Sequence, residues 1–350
     1  MAQQTDLAGS ARRKGLGYAW ELARFLGICL LVLLAFGLVL ILSGKDPLKA
    51  YADIFSMTLG TTYGISEVLV RMIPLILTAV AVAIPARIGL INIGGDGQFY
   101  MGAWLATWGA LTFSSLPPAL LLLIMVVLGM AGGGAWAAIA GLLRARGLVN
   151  ETICTLLLNY VAPLITNYFI FGPWRSADSG LYPVSSTFAS AARLPVFDGT
   201  RVHLGLVFAL VAVALYWFLV QKSRWGLEMR AIGGNPEAAR RLGIPVSWYV
   251  VVALAGAGAL AGLAGMAEVS GIHGRLIQVI SPGYGFMGFL ISWLAGGNPL
   301  GIVVMSFLLA VIASGGTVLQ ITQGLPYAVV NILMALILFI VLARPGKRKG

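Results

Sequence analysis

The sequence predicts an all-α, polytopic integral membrane protein with about ten transmembrane helices, and three observations lead to this fold class. Of its 350 residues, 59% are hydrophobic and 10% are charged, whereas soluble domains are about a quarter charged. Long uncharged runs recur at 26–42, 120–139, 204–220 and 329–342, and a helix of about 20 apolar residues crosses a bilayer. Basic residues cluster between alternate runs, as they do in membrane proteins with several spans.

Ten segments are expected to cross the membrane. In order they are 25–42, 66–86, 97–113, 119–142, 151–171, 203–221, 247–270, 285–296, 300–316 and 325–342. An even number returns the chain to its starting side, so residues 1–24 and the basic tail 343–350 are both expected in the cytoplasm. Segments 285–296 and 300–316 are short, and we expect half-helices or a re-entrant pair, which must be covered by protein or line a water-filled cavity.

The net charge of +11 follows from this orientation. With residues 1–24 inside, sixteen of the 23 lysines and arginines face the cytoplasm and seven face outward. This is the positive-inside bias, which sets the orientation of a membrane protein and requires no nucleic acid. The charge pattern therefore predicts a lipid bilayer, and no nucleic acid, as the partner of the chain.

The inner loop, 222–246, contains a short helix with well-marked ends. Capping residues and charges that match the helix dipole stand at both ends, and in order they are Asn235, Pro236, Glu237, Arg240, Arg241 and Gly243. Two roles are open for this helix. It is either a plain connector or a rigid lever that contacts another protein.

The outer loop, 173–202, is rich in Ser, Ala, Pro and Gly and contains Trp174, Tyr182 and Phe188. A docking surface for a partner and an ordinary crossover between spans both fit its length, and both interpretations stay open.

Small residues dominate two expected spans, at 129–140 and 253–265. The second, ALAGAGALAGLAG, lies in an apolar run and lacks the strand and distal acid that a dinucleotide-binding glycine loop needs. Glycines four residues apart, such as Gly258 and Gly262, let helix backbones approach closely in a membrane. We therefore predict tight helix packing at these segments.

A weak internal similarity links two polar, glycine-marked segments that each lead into an aromatic-rich span. They are GGDGQFYMGAWLATW and SPGYGFMGFLISWLA. Five expected spans separate them, and an odd offset reverses the orientation of the second copy. Inverted repeats with broken helices are common in transporters, so the pattern indicates a possible inverted repeat.

The stretch 89–103, GLINIGGDGQFYMGA, sets polar residues inside the apolar chain, although a carboxylate at the bilayer centre costs about 2.5 to 3.5 kcal/mol. If the second helix begins near Ser66, Asp96 lies at the cytoplasmic mouth in a solvated turn. If the helix effectively begins at Pro74, residues 92–98 lie deeper, as a broken helix beside a path or gate. The acidic and amide residues within or beside spans are Asn92, Asp96, Gln98, Asn150, Glu151, Asn159, Asn167, Glu268 and Asn331.

The motifs of common catalytic and metal sites are missing from the sequence. It contains no GxxxxGK[ST] phosphate loop, no HExxH and no GxSxG, and Cys29 and Cys154 are too far apart for metal-site spacing. His203 and His273 have no acidic partner at motif spacing, and we interpret both as interfacial residues. The chain is therefore expected to have no catalytic or metal site, and any ATP must be hydrolysed by another polypeptide.

Five motifs follow one another along the chain: GLINIGGDGQFYMGA, GLVNETICTLLLNYVA, GGNPEAARRLGI, ALAGLAG and GYGFMGFLISWLAGGNPLGI. In this order and spacing they resemble the permease subunits of bacterial ABC importers in the ribose and branched-chain amino acid permease superfamily. The similarity covers about 74–342 and is greatest to the larger of the two paired permeases of the nucleoside and simple-sugar group. Met287 and Asp96 depart from the residues more usual in that group, so the resemblance leaves the solute open.

The resemblance implies a subunit of the bacterial cytoplasmic (inner) membrane, with 25–342 as its permease domain. Its partners would be a second homologous permease, an ATP-binding subunit of double length that holds ATP and Mg, an extracytoplasmic solute-binding protein and the solute. The ATPase coupling residues would be Gly234, Asn235, Pro236, Glu237, Ala238, Ala239, Arg240, Arg241 and Gly243. The translocation path would be bordered by Asn92, Gly94, Gly95, Asp96, Gln98, Asn159, Gly283, Tyr284, Gly285 and Phe286.

The first hypothesis is thus the permease of an ATP-driven importer for nucleosides or related small polar solutes. A specificity for simple sugars is the alternative within transport, and pairing with an identical or a different permease stays open. A self-contained secondary carrier or channel and a membrane-embedded enzyme are the competitors from other classes.

Overall fold

The computed structural model describes residues 27, 30, 33–177, 180, 182–326, 328 and 332, which fold almost entirely into helices. The segments 1–24, most of 325–342, and 343–350 lie outside the described residues, as do Cys29 and Asn331. The helices are α1 (Leu33–Leu42), α2 (Pro47–Thr58), α3 (Thr62–Ala86), α4 (Gly95–Thr112), α5 (Pro118–Ala145), α6 (Glu151–Phe171), α7 (Gly205–Lys222), α8 (Arg224–Gly234), α9 (Pro236–Arg241), α10 (Val246–Glu268), α11 (Tyr284–Leu294) and α12 (Pro299–Gln323).

Six of the described helices are long and apolar enough to cross a membrane: α3, α5, α6, α7, α12 and α10 with the π-helical turn that extends it to His273. The prediction of a polytopic, all-helical membrane protein agrees with this count. Helix α12 has 25 residues and is long enough for a full-length span, not the half-helix expected at 300–316. Helix α11 has 11 residues, which at 1.5 Å per residue cover about 16 Å, or half a bilayer.

The chain divides into two compact units, Met1–Gly60 with Ile312–Gly350 and Thr61–Val311. In the first unit, Phe36 and Leu40 of α1 pack with Ala50 of α2 and Leu319 of α12. Helix α2 was not predicted from the sequence. Its start is nevertheless well marked, because the Asp46 side chain accepts hydrogen bonds from the first backbone N–H groups of the helix.

In the second unit, α3 runs without interruption from Thr62 to Ala86, with Pro74 and Pro85 inside it. Of the two starts left open by the sequence, the one near Ser66 agrees with this helix, and a start at Pro74 is excluded. The hydroxyl of Thr61 caps the helix by accepting a hydrogen bond from Gly64 N at 3.0 Å. From Val68 to Pro85 most residues of α3 are buried, so surrounding helices hold the prolines in a helical conformation that propensity alone disfavours.

The predicted glycine packing is confirmed and forms the centre of this unit. A Cβ atom added to Gly262 would overlap the backbone oxygen of Gly129 in α5, and one added to Gly258 would overlap that of Gly133. On the next face, Gly102 of α4 lies equally close to the Gly262 backbone. Helices α4, α5 and α10 therefore pack backbone against backbone, as small residues permit in membranes.

The two ends of the second unit differ. Helices α5 and α10 run antiparallel, since Gly141 lies near Val251 and Gly129 near Met266. The end of α5, the start of α10 and the helices α8 and α9 therefore share one end, which we call the basic end. The opposite end carries residues 172–204 and is called the loop end.

Two crossings are broken in opposite directions. After α3 reaches the basic end, residues 87–94 return toward the middle of the unit without helical structure, and α4 continues toward the loop end. After the π turn at the loop end, residues 274–283 continue without helical structure, and α11 then runs toward the basic end. Helices α4 and α11 thus run in opposite directions, and each follows a non-helical segment.

Candidate functional site

The two broken crossings meet at their helix N-termini. Gly95 begins α4 and Gly285 lies in the first turn of α11, and a Cβ added to Gly95 would lie 3.0 Å from the Cα of Gly285. A Cβ on Gly285 would overlap the backbone nitrogen of Asp96. Side chains at either glycine would therefore push the two helix ends apart. Residues 92–98 and 281–286 are called the junction from here on.

Asp96 joins the two halves of the junction. Its Oδ1 accepts hydrogen bonds from Gly285 N at 2.8 Å and from Ser281 Oγ at 2.7 Å. Ser281 Oγ also accepts from Tyr284 N at 3.0 Å, so it caps α11 while it donates to Asp96. Because Asp96 lies in the first turn of α4, its carboxyl group faces the positive ends of two helix dipoles, which offsets the cost of its burial.

Asn92 and Gln98 form a closed amide pair. Asn92 Nδ2 donates to Gln98 Oε1 at 3.1 Å, and Gln98 Nε2 donates to Asn92 Oδ1 at 2.9 Å. Asn92 Oδ1 also accepts from Gly94 N at 3.0 Å. Both side chains are buried, so the pair stabilises the turn that leads into α4 and supplies the partners that a lipid environment lacks.

Helix α6 fixes the junction from the side. Asn159 Oδ1 accepts from Gly97 N at 2.7 Å, and its Nδ2 donates to the oxygen of Ile93 at 2.7 Å. One turn earlier, Thr155 Oγ1 accepts from Ile93 N at 3.3 Å. These contacts satisfy backbone groups that the break in the crossing leaves without helical partners.

Helix α3 supports the other half of the junction. The hydroxyl of Thr78 lies 3.0 Å from the backbone oxygen of Tyr284 and 2.7 Å from that of Pro74. Gly288 of α11 packs directly on Thr78, because a Cβ at Gly288 would overlap the Thr78 hydroxyl oxygen. Ser281, Thr78 and Thr155 were not among the residues selected from the sequence.

The depth of the junction is fixed by these contacts. Thr78 lies eight residues before the end of α3 at Ala86, and Asn159 eight residues after the start of α6 at Glu151. At 1.5 Å per residue, both lie about 12 Å from the basic end of the unit. Of the two placements left open by the sequence, the contacts agree with the one that sets residues 92–98 deeper within the protein. The cause is a re-entrant chain rather than a late start of the helix.

The predicted path residues differ in exposure. Four predicted path residues have buried polar side chains that form hydrogen bonds at the junction: Asn92, Asp96, Gln98 and Asn159. The exposed positions in the junction and directly before it are apolar: Phe286 is 46% exposed, Ile91 is 38% exposed, and Pro282 is exposed as well. The polar residues therefore build the break, and the surface beside it is formed by their apolar neighbours.

The segment expected to couple to an ATPase consists of two helices. Asn235 ends α8 and begins α9, and its Oδ1 accepts from Glu237 N and Ala238 N, each at 3.0 Å. Pro236 occupies the first helical position, and Gly243 follows the C-cap with a φ of 80°. The predicted capping of α9 is thus confirmed. Helix α8 had not been predicted.

Arg87 connects this segment to both broken crossings. Its Nη2 donates to the oxygen of Gly297, just after α11, at 2.5 Å and to Tyr216 Oη of α7 at 2.9 Å. A Cβ on Gly233 of α8 would overlap the backbone oxygen of Arg87, so α8 rests on the start of the re-entrant segment 87–94. These contacts connect α8 to residues 87–94, which lead to the junction.

The loop end is cross-linked by polar contacts. Ser185 N donates to the oxygen of Leu276 at 2.9 Å, and Arg201 forms an ion pair with Glu67 of α3. His203, two residues before α7, is 1% exposed, and burial lowers the pKa of His203 to about 4. The loop is therefore a packed structure that joins α3 to residues 274–277.

Similarity to known proteins extends over nearly the whole chain. A family model described as branched-chain amino acid transport system, permease component, matches residues 64–342. A glucose ABC transporter permease of Haloferax volcanii is 38% identical over 89% of this chain and 85% of its own length. A guanosine ABC transporter permease of Bacillus subtilis is 33% identical (89% and 90% covered), and a nucleoside ABC transporter permease of Lactococcus lactis is 30% identical (87% and 86% covered).

Proposed function

The chain belongs to the family of permease components of branched-chain amino acid transport systems, and from this premise we propose that it imports neutral solutes rich in hydroxyl groups. Nucleosides are the first candidate among these solutes. It is a membrane permease subunit of an ABC importer for nucleosides or sugars. What is proposed beyond this statement is the solute, the route through the membrane, the partners and the orientation.

The charge arrangement at the junction supports a neutral solute. Helix N-termini attract anions, and two of them meet here. The carboxyl group of Asp96 already occupies that position, because Oδ1 accepts from Gly285 N. An anionic solute would meet a carboxyl group instead of free N–H donors, whereas the hydroxyl groups of a nucleoside or a sugar carry no net charge.

A simple sugar is the second candidate, and one observation favours it. The relative of Haloferax volcanii named for glucose shares 38% identity with this chain, more than the relatives named for guanosine (33%) and nucleosides (30%). Neutral hydroxyl groups are common to both solute classes. The experiment below distinguishes them.

The proposed partners are a second permease, an ATP-binding subunit of double length and an extracytoplasmic solute-binding protein. ATP and Mg would bind to the ATP-binding subunit, since this sequence has no phosphate loop. Contact with that subunit is assigned to α9, whose Arg240 and Glu237 side chains are 59% and 65% exposed. Its motion would pass through α8 and Arg87 to residues 87–94 and the junction.

The proposed orientation follows the basic residues. The basic end carries Arg144, Arg146 and the arginines of α8 and α9, and the positive-inside rule places such an end in the cytoplasm. Ten crossings, with both broken ones counted, would return the chain to that side. We assign the protein to the cytoplasmic membrane of a bacterium, with α9 facing the ATPase and residues 172–204 facing the binding protein.

The test is uptake by the assembled transporter in proteoliposomes. With both permeases, the ATP-binding subunit and the binding protein present, we expect ATP-dependent uptake of radiolabelled guanosine or another nucleoside that excess glucose does not reduce. Competition by glucose with no competition by nucleosides would transfer the assignment to sugars. Uptake by this chain without ATP or the ATP-binding subunit would contradict an ABC permease altogether.

A further inference from the structure

An apolar groove runs along the outside of the second unit toward the basic end. It has a volume of about 320 Å³ and is lined by α3, α7, α8 and α10, including Leu215, Trp225 and Gly256. A Cβ added to Gly256 would meet no atom within 4 Å. The groove is therefore open space at this glycine and does not serve the backbone packing that occupies Gly258 and Gly262.

A second pocket adjoins it at the basic end; its surface is largely apolar, but we call it the polar pocket because it contains the charged side chains of Arg224 and Glu228. This open pocket has a volume of about 540 Å³, and its lining is Arg224, Trp225, Glu228, Pro245, Trp248 and Tyr249. Trp225 lines both spaces, and its ring stacks on that of Tyr249 with centroids 6.1 Å apart. The polar pocket and the apolar groove are thus neighbours on either side of one tryptophan.

The two spaces have the depths of a lipid headgroup and an acyl chain. Helix α7 ends at Lys222 and α10 begins at Val246, so the polar pocket lies at the ends of two spans. Ala212 and Gly256, which line the groove, are each ten residues from those ends. Ten residues of helix cover about 15 Å, the thickness of one leaflet of the hydrocarbon core.

The polar pocket offers both signs of charge. Arg224 Nε donates to Glu228 Oε1 at 2.7 Å, and its side chain is 90% exposed, which leaves the terminal guanidinium nitrogens accessible to a phosphate. The hydrogen bond from Tyr249, and after it the one from Arg224, hold the pKa of Glu228 below its usual value, so it is a carboxylate at neutral pH. A carboxylate beside Trp225 and Trp248 suits an ammonium group.

We propose that this site binds one zwitterionic phospholipid with an amine headgroup, such as phosphatidylethanolamine. Arg224 contacts the phosphate, Glu228 and the tryptophan rings contact the ammonium group, and one acyl chain lies in the groove past Gly256. The lipid would lie against α8, the helix that rests on Arg87. The inference uses the groove and its charges alone and does not depend on the identity of the solute.

Native mass spectrometry of the purified, assembled transporter tests the proposal. The complex is mixed with equal amounts of phosphatidylethanolamine and phosphatidylglycerol of the same acyl chains, which differ in the ammonium group. We expect one phosphatidylethanolamine to be retained per copy of this chain. Gly256→Phe fills the groove and should lower retention roughly tenfold, the loss expected from about two buried methylene groups.

Gly256→Ala is the matched control, because it makes the same change of backbone freedom yet adds one methyl group to open space; it should keep the lipid. Glu228→Gln should remove the preference for phosphatidylethanolamine over phosphatidylglycerol. Equal retention of both lipids by the unaltered complex would overturn the headgroup assignment. Full retention in Gly256→Phe, or no bound lipid in any variant because a partner helix fills the groove, would overturn the site.

Discussion

At the scale of single residues, the polar positions in the span hold the chain together at a break. Asp96 bonds to residues more than 180 positions away in the sequence, and Asn159 bonds to both sides of the bend at Gly95. The surface beside the break is apolar, with Phe286 exposed. Along the proposed path, a solute would contact apolar and backbone groups, and the polar residues would stabilise the break.

Part of this site follows from the sequence and part does not. Asn92, Asp96 and Gln98 stand out because acidic and amide side chains are expensive in a membrane. Ser281, Thr78 and Thr155 do not stand out, because a hydroxyl in a span ordinarily bonds back to its own helix. The pairing of Gly95 with Gly285 could be inferred only as a weak internal similarity, since sequence alone does not show which backbones touch.

Replacing Asp96 is the sharpest test at this scale. Asp96→Ala leaves Gly285 N and the Ser281 hydroxyl without their acceptor, which should destabilise the permease by about 1 to 3 kcal/mol and abolish uptake. Asp96→Asn keeps an accepting oxygen. It should therefore melt at a lower temperature than the unaltered complex but still support measurable uptake. Uptake and thermal melting of the purified complex check both variants. An Asp96→Ala complex as stable and active as the unaltered one would refute the joining role.

At the scale of helices, local signals and packing signals were predictable to different degrees. The caps of α9 could be predicted because Asn235, Pro236 and Gly243 act on their own neighbours. The glycines of α10 indicated backbone contact, and the structure identifies α4 and α5 as the partners. The sequence left the start of α3 open between Ser66 and Pro74, because a proline disfavours a helix interior and only the structure shows the burial that overrides this local preference.

Charge reversal on α9 tests its contact with the ATPase. Changing Arg240 and Arg241 together to Glu should reduce solute-stimulated ATP hydrolysis about tenfold or more, since a buried ionic or hydrogen-bonded contact across an interface is worth at least about 1.4 kcal/mol. Expression should be unchanged, because both side chains are exposed. ATP hydrolysis by the reconstituted complex is the measurement.

Arg146→Glu is the control for this variant, as it reverses an exposed charge at the same end of the molecule outside α9. It should leave hydrolysis near the unaltered level. If the double variant on α9 hydrolyses ATP as the control does, α9 is a connector and the lever role is wrong.

At the scale of the whole molecule, the sequence was sufficient for the class and the family. Composition predicts a polytopic helical membrane protein, and the family match over residues 64–342 confirms the permease resemblance. The number of full crossings was harder to predict, because hydropathy does not separate a span from a half-helix joined to an extended segment. Six described helices are long enough to cross, and α4 and α11 each follow a non-helical segment that hydropathy does not reveal.

The central claim is that the two broken crossings meet beside a solute path, and thiol accessibility tests it most directly. In an assembled transporter with Cys29 and Cys154 replaced by alanine, Phe286→Cys lies at the junction, and Val211→Cys is the control, on the exposed face of α7. A membrane-impermeant, cationic methanethiosulfonate should modify Phe286→Cys far faster than Val211→Cys, and solute with ATP should change that rate. If Phe286→Cys is as unreactive as Val211→Cys in every nucleotide state, the junction faces lipid or protein and no solute path lies beside it.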